Sequence, residues 1–343
     1  LTGSTVFNLR SQKGNPDIKP ERSEELEFGF DSGFLNDRIN LSATYYTAQI
    51  KDLIIPRTLA ASEGALTIVE NVGSLENNGV ELLLSANPIR NTNNNFSLFF
   101  NYTRNRNKVV EAFQDRFQIA SPINVPSFIE EGEPIGIYYG FYAARDENGD
   151  FLLTEDGLRQ RERGDLETGA PMRDANGQPT GDFLRKKIGD PNPDYVFSVG
   201  ANYRFKKLSL NVLLDGVQGF DIFDADKRTR QGVGIGEFAE AELRGDLPRG
   251  WVWSIYPIEE WRMEDGSYVK LREVSLSYDI SDFVRPMLDG AMLTVTGRNL
   301  HSFDDYFSYD PEVNSAGQAS YLRYNFGTVP IPRTYAVTLT TNF

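Results

Sequence analysis

The sequence predicts an all-β fold: the C-terminal portion, about nine antiparallel strands, of a large transmembrane up-and-down β-barrel. Three observations carry this expectation. Apolar and polar residues alternate with period 2 in nine separate segments of the 343-residue chain, the signature of strands with one apolar and one polar face. The connections between these segments alternate strictly between short and long, as in a barrel with tight turns at one rim and long loops at the other. No apolar run approaches the roughly 20 residues that a transmembrane helix needs; Phe141 to Ala144 is about the longest.

The segments can be justified in order. From about Glu24 to Asp31, Leu26, Phe28 and Phe30 share one face. From about Arg38 to Ile50, Ile39, Leu41, Ala43 and Tyr45 alternate with polar residues. From about Gly79 to Asn87 the apolar set is Val80, Leu82, Leu84 and Ala86, and from about Phe96 to Asn107 it is Phe96, Leu98, Phe100 and Tyr102. Tyr195 to Phe205 sets six apolar residues against Ser198, Gly200, Asn202 and Arg204. The next segment carries Leu208, Leu210, Val212 and Leu214. Ser267 to Asp279 presents Val274, Leu276 and Tyr278; Ala291 to Asn299 presents Leu293 and Val295; Arg333 to Phe343 presents Tyr335, Val337, Leu339 and Phe343. Pro20, Pro88, Pro193, Pro286 and Pro332 fall at borders or in connections, where a ladder tolerates a missing N–H.

The short turns lie near 34–37, 89–95, 206–207 and 281–290, and the long loops near 51–78, 108–194, 216–266 and 300–332. Charge follows the same division. Residues 109–193 hold 16 acids and 9 bases, and residues 216–267 hold 11 and 6, so these loops account for 12 of the 14 excess negative charges. The alternating segments are nearly neutral, as a lipid-facing wall must be. Such a balance lacks the basic footprint of a nucleic-acid-binding protein. The absence of cysteine rules out disulfides and thiolate chemistry, and the single histidine, His301, rules out a multi-histidine metal site.

Nine strands cannot close an up-and-down barrel, because the first and last would run parallel. Open edges in lipid would leave backbone groups unsatisfied. The opening LTGSTVFNLR has neither an initiator methionine nor a signal-peptide pattern. The expectation is therefore the C-terminal part of a longer protein. Two rival readings share some of these features. A passive porin or secretion barrel has the same alternation and loop asymmetry. A soluble carbohydrate-binding β protein would not sort its loops by length.

Several ordered motifs then carry a resemblance. Asn15-Pro16-Asp17-Ile18-Lys19-Pro20-Glu21 resembles the NPxLKPE element of TonB-dependent receptor barrels. Glu70-Asn71-Val72-Gly73 followed by Asn78-Gly79-Val80-Glu81, and Gly189-Asp190-Pro191-Asn192-Pro193-Asp194, resemble the next elements. Glu264 to Arg272 with Ser275-Leu276-Ser277-Tyr278 resembles the DGSYLRLR-x-x-SLSY block of SusC/RagA-type receptors. Gly297-Arg298-Asn299-Leu300, Tyr309-Asp310-Pro311-Glu312-Val313 and Pro332-Arg333-Thr334 complete the series. The chain thus resembles the SusC/RagA-like TonB-dependent (TonB-linked) outer-membrane transporters over nearly its whole length.

This resemblance implies a complete barrel of about 22 strands. Residues 1–343 would form its C-terminal part, with the plug, the TonB-contacting segment and the signal peptide upstream. It implies an integral outer-membrane protein of a Gram-negative bacterium, of the Bacteroidota. The implied function is import of glycan oligomers or peptides, energised by the TonB complex through the N-terminal part and assisted by a SusD-like surface lipoprotein. The terminal Phe343 resembles the residue read by the barrel-assembly machinery.

Candidate sites lie in the long loops. Tyr138, Tyr139, Phe141 and Tyr142 form one aromatic cluster; Trp251, Trp253, Tyr256 and Trp261 form another. Exposed aromatics can stack on sugars or anchor a lid protein, and they also pack loop on loop or form an interfacial belt. Asp174-Ala175-Asn176-Gly177-Gln178 resembles a D-x-N-x-D-G run suited to an oxygen-coordinated Ca²⁺, with Asp174 and Asn176 as its ligands. It departs from that pattern at Gln178 and Pro179, and a plain turn is the stronger expectation. Asp146 to Asp150 reads as a hairpin turn on Asn148-Gly149. His301 reads as an ordinary residue of a polar loop. The acid pairs Glu130-Glu131 and Glu259-Glu260 have no accompanying nucleophile and base. No enzyme activity and no other cofactor are expected.

Overall fold

The computed structural model describes residues 10–119, 123, 125–285, 287–317 and 321–342. Phe343 and Pro286 lie outside the described residues. Nine long strands form one antiparallel sheet in chain order. They are β1 (Arg22–Phe34), β2 (Ile39–Lys51), β3 (Gly73–Arg90), β4 (Asn94–Ala112), β5 (Tyr195–Phe205), β6 (Leu208–Gln218), β7 (Tyr268–Asp279), β8 (Gly290–Phe303) and β9 (Thr334–Asn342). Each pairs with its sequence neighbour, and β1 and β9 are the two ends. No helix among the described residues is long and apolar enough to cross a membrane.

The pairing register converts sequence alternation into continuous rows. Leu41, Leu84, Phe100, Val199 and Leu214 lie side by side across β2 to β6. Tyr203, Leu210, Leu276, Val295 and Val337 form a second row from β5 to β9. These apolar side chains face outward without cover: Val337 of the second row is 73% exposed, and Phe28, on the same face of β1, is 64% exposed. A soluble sandwich would bury such a face. The opposite face is polar, for example along Ser42, Asn101, Ser198 and Asp215. Aromatic residues flank the apolar band. Tyr102 and Tyr195 are 5.6 Å apart near the long-loop end, and Phe96 and Tyr203 are 6.0 Å apart near the short-turn end. Tyr195 and Tyr203 are eight residues apart on β5. That is about 26 Å along a strand, or about 20 Å along the normal at a tilt near 40°.

The turn ends are tight. Leu35, Asn36 and Asp37 have φ of 55°, 54° and 58° between β1 and β2, and Lys206 has φ 51° in the turn between β5 and β6. The other rim carries four long connections: L1 (52–72), L2 (113–194), L3 (219–267) and L4 (304–333). The predicted strands are all present. However, β3 begins six residues before the alternating segment and β4 runs five residues past it. These extensions leave the band and enter loop packing, where Leu75 and Val109 are buried. Alternation ends there because neither face meets lipid. Strand β8 also continues to Phe303, so His301 lies in a strand rather than a loop, edge-on to Phe303.

The packed core sits among the loops. Ile55 of L1 packs with Val72, Leu75, Val109 and with Phe117, Ile119 and Ile129 of L2. Tyr138 of L2 packs with Phe223 of L3 and Leu322 and Tyr324 of L4. L3 contains three helices, α1 (Ala225–Gly232), α2 (Glu237–Arg244) and α3 (Trp251–Ile255). Asp224 caps α1 by accepting from the Lys227 N–H at 2.9 Å, the usual use of an N-terminal aspartate. The Glu242 carboxylate accepts from the Gly250 and Val252 N–H groups, each at 2.8 Å, and so caps α3.

Candidate functional site

The loops form a joined cap over the polar face, and its parts can be built from single residues. In L2 the strand Ile137–Phe141 pairs with Arg185–Gly189, so consecutive aromatics point to opposite sides. Tyr138 is fully buried; it stacks on Phe223 and its hydroxyl donates to the Arg323 carbonyl. Burial drives its phenol well above the ordinary tyrosine range, with the Arg323 contact opposing the shift. Tyr138 is thus part of the loop core. Tyr139 is half-buried and lies under the Arg116 guanidinium at 3.6 Å. Phe141 and Tyr142 are half-buried, under Arg185 at 4.2 Å and Lys186 at 4.3 Å.

The second cluster divides in the same way. Trp251 and Trp253 are two residues apart on a short helix and face different ways. Trp251 is 8% exposed and packs on Phe238 with tilted rings 5.1 Å apart, while Trp253 is 64% exposed. Tyr256 lies 5.2 Å from Trp253, and half-buried Trp261 is edge-on to Trp251.

Two adjacent acids bring the clusters together. Glu259 accepts from the Phe141 N–H at 2.8 Å, and Glu260 accepts from the Ala143 N–H at 3.0 Å. Glu260 also pairs with Arg145 at 3.0 Å and Lys186 at 3.2 Å. Burial opposes its ionisation, but the Ala143 N–H, Lys186 and Arg145 outweigh it and hold its carboxyl below the ordinary value. The pair therefore latches L3 onto L2. Sequence inspection missed this role, since nothing local to Glu259-Glu260 shows which backbone it meets.

The ordered motifs form clamps between elements. The Asn71 side chain takes both the N–H and the carbonyl of Lys19, at 2.8 and 3.0 Å. Glu21 accepts from the Ile54 N–H at 2.6 Å. Gly73, at φ 143°, is irreplaceable because a Cβ there would lie 1.9 Å from the Glu111 carbonyl. Lys270 and Arg272 of one motif meet Asp310 and Glu312 of another: Lys270 to Asp310 at 2.6 Å, Lys270 to Glu312 at 2.8 Å and Arg272 to Glu312 at 2.8 Å. Arg272 also donates to Asn299 at 3.1 Å. Three separated motifs thus converge on one ion network tying L4 to β7 and β8.

Beneath L1 and L2, a cavity of about 480 Å³ opens on the polar face. Its wall includes Asn77, Asn105, Asn107 and Asn192, with Ile55 and Tyr321 contributed by loops. Asn107 donates to Asn192 at 2.8 Å and accepts from the Ile135 N–H at 2.7 Å. These amides suit neutral polar groups.

Asp174 and Asn176 lie in a hairpin between Met172–Arg173 and Pro179–Thr180. One Asp174 carboxylate oxygen accepts from the Asn176 and Gln178 N–H groups at 2.8 and 2.9 Å, so it serves the turn. Asp146 does the same for Asn148 and Asp150. Among the described residues, no three His, Asp or Glu side chains are placed to hold a metal ion.

Comparison with known proteins fits this architecture. Residues 2–300 match the family model described as TonB dependent receptor-like, beta-barrel. TonB-dependent receptor P3 of Formosa agariphila is 29% identical over 96% of the chain and 35% of the relative. TonB-dependent receptor SusC of Bacteroides thetaiotaomicron is 22% identical over 93% of the chain and 32% of the relative. A solved structure of the RagAB peptide importer in its closed-closed state superposes with a TM-score of 0.75, at 22% identity, over 96% of this chain and 36% of that one. The chain spans about a third of the length of the curated relatives it matches. The nine-strand wall with one apolar face, the long loops gathered at one rim and the family match over residues 2–300 together make this chain a member of the TonB-dependent receptor-like β-barrel family.

Proposed function

We propose that residues 1–343 are the C-terminal wall and loop cap of an outer-membrane active transporter that imports oligomeric nutrients, glycan or peptide. The observation that carries this reading is the outward apolar face. It runs unbroken across nine strands and is bounded by aromatic residues, while the protein's buried core lies in the loops at one rim. A lipid solvent accounts for exposed Phe28 and Val337, and a substrate vestibule accounts for long loops that pack on one another at one rim. The ends β1 and β9 run in the same direction and cannot pair as antiparallel neighbours; in this reading, strands outside residues 1–343 complete the barrel. A plug and a TonB-contacting segment precede them in this reading, and a SusD-like lipoprotein covers the loops. The relatives named SusC and RagAB support that partner by similarity.

The test is uptake of labelled oligomers by cells expressing the full-length receptor, with and without a working TonB. Uptake abolished by TonB loss or by a protonophore supports active import. Uptake unchanged by either means a passive porin or secretion barrel and sinks the proposal.

A further inference from the structure

L2 carries a group of cations that no carboxylate contacts directly. The protein has 49 acids against 35 Lys and Arg, and nearby cations are paired. Arg116 pairs with Glu130, Arg145 and Lys186 with Glu260, and Arg173 with Glu162. Among the described residues, the guanidinium groups of Arg159, Arg161, Arg163 and Arg185 make no hydrogen bond and no ion pair. The Nε of Arg163 is buried and has no acceptor.

These four groups lie on rings. Arg161 sits 3.4 Å from the Phe183 ring centre and 5.0 Å from that of Phe141. Arg163 is 4.3 Å from Phe183, Arg185 is 4.2 Å from Phe141, and Arg159 is 3.9 Å from Phe151. Arg159, Arg161 and Arg163 occupy alternate positions of an extended segment, bridged to Leu153, Ala143 and Phe183. They therefore share one side at a spacing of about 7 Å. Glu162, between them, faces away and is spent on Arg173. A cavity of about 420 Å³ lies beside these rings; Tyr139, Phe141 and Phe183 wall it, and of the four arginines Arg185 alone lines it. Asp182 also lines it and pairs with none of the four. Burial holds Arg159 and Arg161 below the ordinary arginine value, helped by Arg145 beside Arg159 and by Arg163 and Arg185 beside Arg161, and opposed by Glu260 and Glu259 respectively; an added anion would relieve both.

We propose that this ring-backed arginine row and its cavity bind an anionic oligosaccharide through its carboxylate or sulfate groups. The rings hold each planar fork in place with no carboxylate on its N–H groups, and such a fork takes an oxyanion through two parallel hydrogen bonds. A sugar is favoured over an acidic peptide because the backbone here is already used. The Leu184 N–H donates to the Glu162 carbonyl, the Glu162 N–H to that of Tyr142 and the Ala144 N–H to that of Gln160, so an extended peptide finds no edge to join along residues 159–163; Arg185–Gly189 is the outer strand of its sheet, and the peptide probe below tests that edge. This inference rests on the import reading above and narrows its substrate class.

The test is calorimetric titration of the purified full-length receptor in detergent. The probes are an oligogalacturonate, a sulfated oligosaccharide, a neutral oligosaccharide of equal length and a polyglutamate peptide. The expected result is binding of one or both anionic sugars, weakened by salt, with the neutral sugar at least about tenfold weaker, the worth of one charge-assisted contact. Which anionic sugar binds tells carboxylate from sulfate. Arg161→Gln with Arg185→Gln should weaken the anionic sugar by about tenfold or more and leave the neutral sugar unchanged. Equal affinity for neutral and anionic sugars, salt-independent binding, an unaffected double variant or tighter binding of the peptide would each overturn the proposal. If the variant does not assemble, phenylglyoxal labelling of wild-type receptor decides: the anionic sugar must protect Arg161 and Arg185, and absence of protection refutes it. TonB-driven uptake of neutral oligomers without anion binding would remove this inference and leave the import reading intact. Anion binding without any uptake would do the reverse.

Discussion

Leu83 and Leu84 are adjacent on β3 and offer a direct test of which face meets lipid. Leu84 lies in the row with Phe100 and Val199, and Val199 is four residues from both Tyr195 and Tyr203. Leu84 is therefore midway between the two aromatic margins. Leu83 is at the same depth on the polar face, between Ser42 and Asn101. The two are 36% and 46% exposed, so a water-soluble account gives Leu84→Arg and Leu83→Arg similar, small costs of about 0.5 kcal/mol or less. A bilayer changes this. Arginine on the lipid face at the midplane costs about 2–4 kcal/mol, whereas arginine on the water-filled side escapes that cost. The assay is denaturant-driven unfolding of the full-length receptor in phospholipid vesicles, with heat-modifiable gel mobility as a check on barrel closure. Equal costs for the two variants, or a larger cost at Leu83, would refute the assignment of faces.

Other consequences follow from the loop cap. Trp251→Ala should destabilise L3 by about 3–5 kcal/mol and expose residues 233–250 to limited proteolysis, while Trp253→Ala should leave the digestion pattern unchanged. The Glu260 latch should depend on pH. Its folded value is depressed, so its stabilising contribution is complete above its ordinary value of 4.5 and is lost as pH falls through the depressed one. Tryptophan fluorescence of the cap should report loosening on acidification, and Glu260→Gln should remove that pH dependence. Calcium and a chelator should give the same thermal midpoint, because the Asp174 carboxylate is engaged in its own turn; a rise with calcium would reinstate a metal role there.

The alternating segments were legible because lipid on one side and water on the other impose period 2 on each strand. Where that contrast ends, so does legibility: the extensions of β3 and β4 and the residue His301 were read as loop. The helices of L3 were not anticipated, although Asp224 before α1 and Gly245 at φ 85° after α2 are ordinary start and stop signals. The Asn148-Gly149 turn was legible, since its chemistry is local. The aromatic clusters were legible as clusters but not as roles. Adjacent residues such as Tyr138 and Tyr139, or near neighbours such as Trp251 and Trp253, have the same local composition and opposite environments.

By itself, the sequence determined the class of fold, the number and order of wall strands, the sorting of loops by length and charge, and the family resemblance. Each of these depends on periodicity or on contiguous residues. Only the tertiary structure decided which motifs clamp to which, that Glu259 and Glu260 join L3 to L2, that Tyr138 is core while Trp253 is surface, and that four arginines of L2 rest on rings without a carboxylate partner. Those facts depend on contacts between residues tens to hundreds of positions apart, and neither periodicity nor composition encodes such pairings.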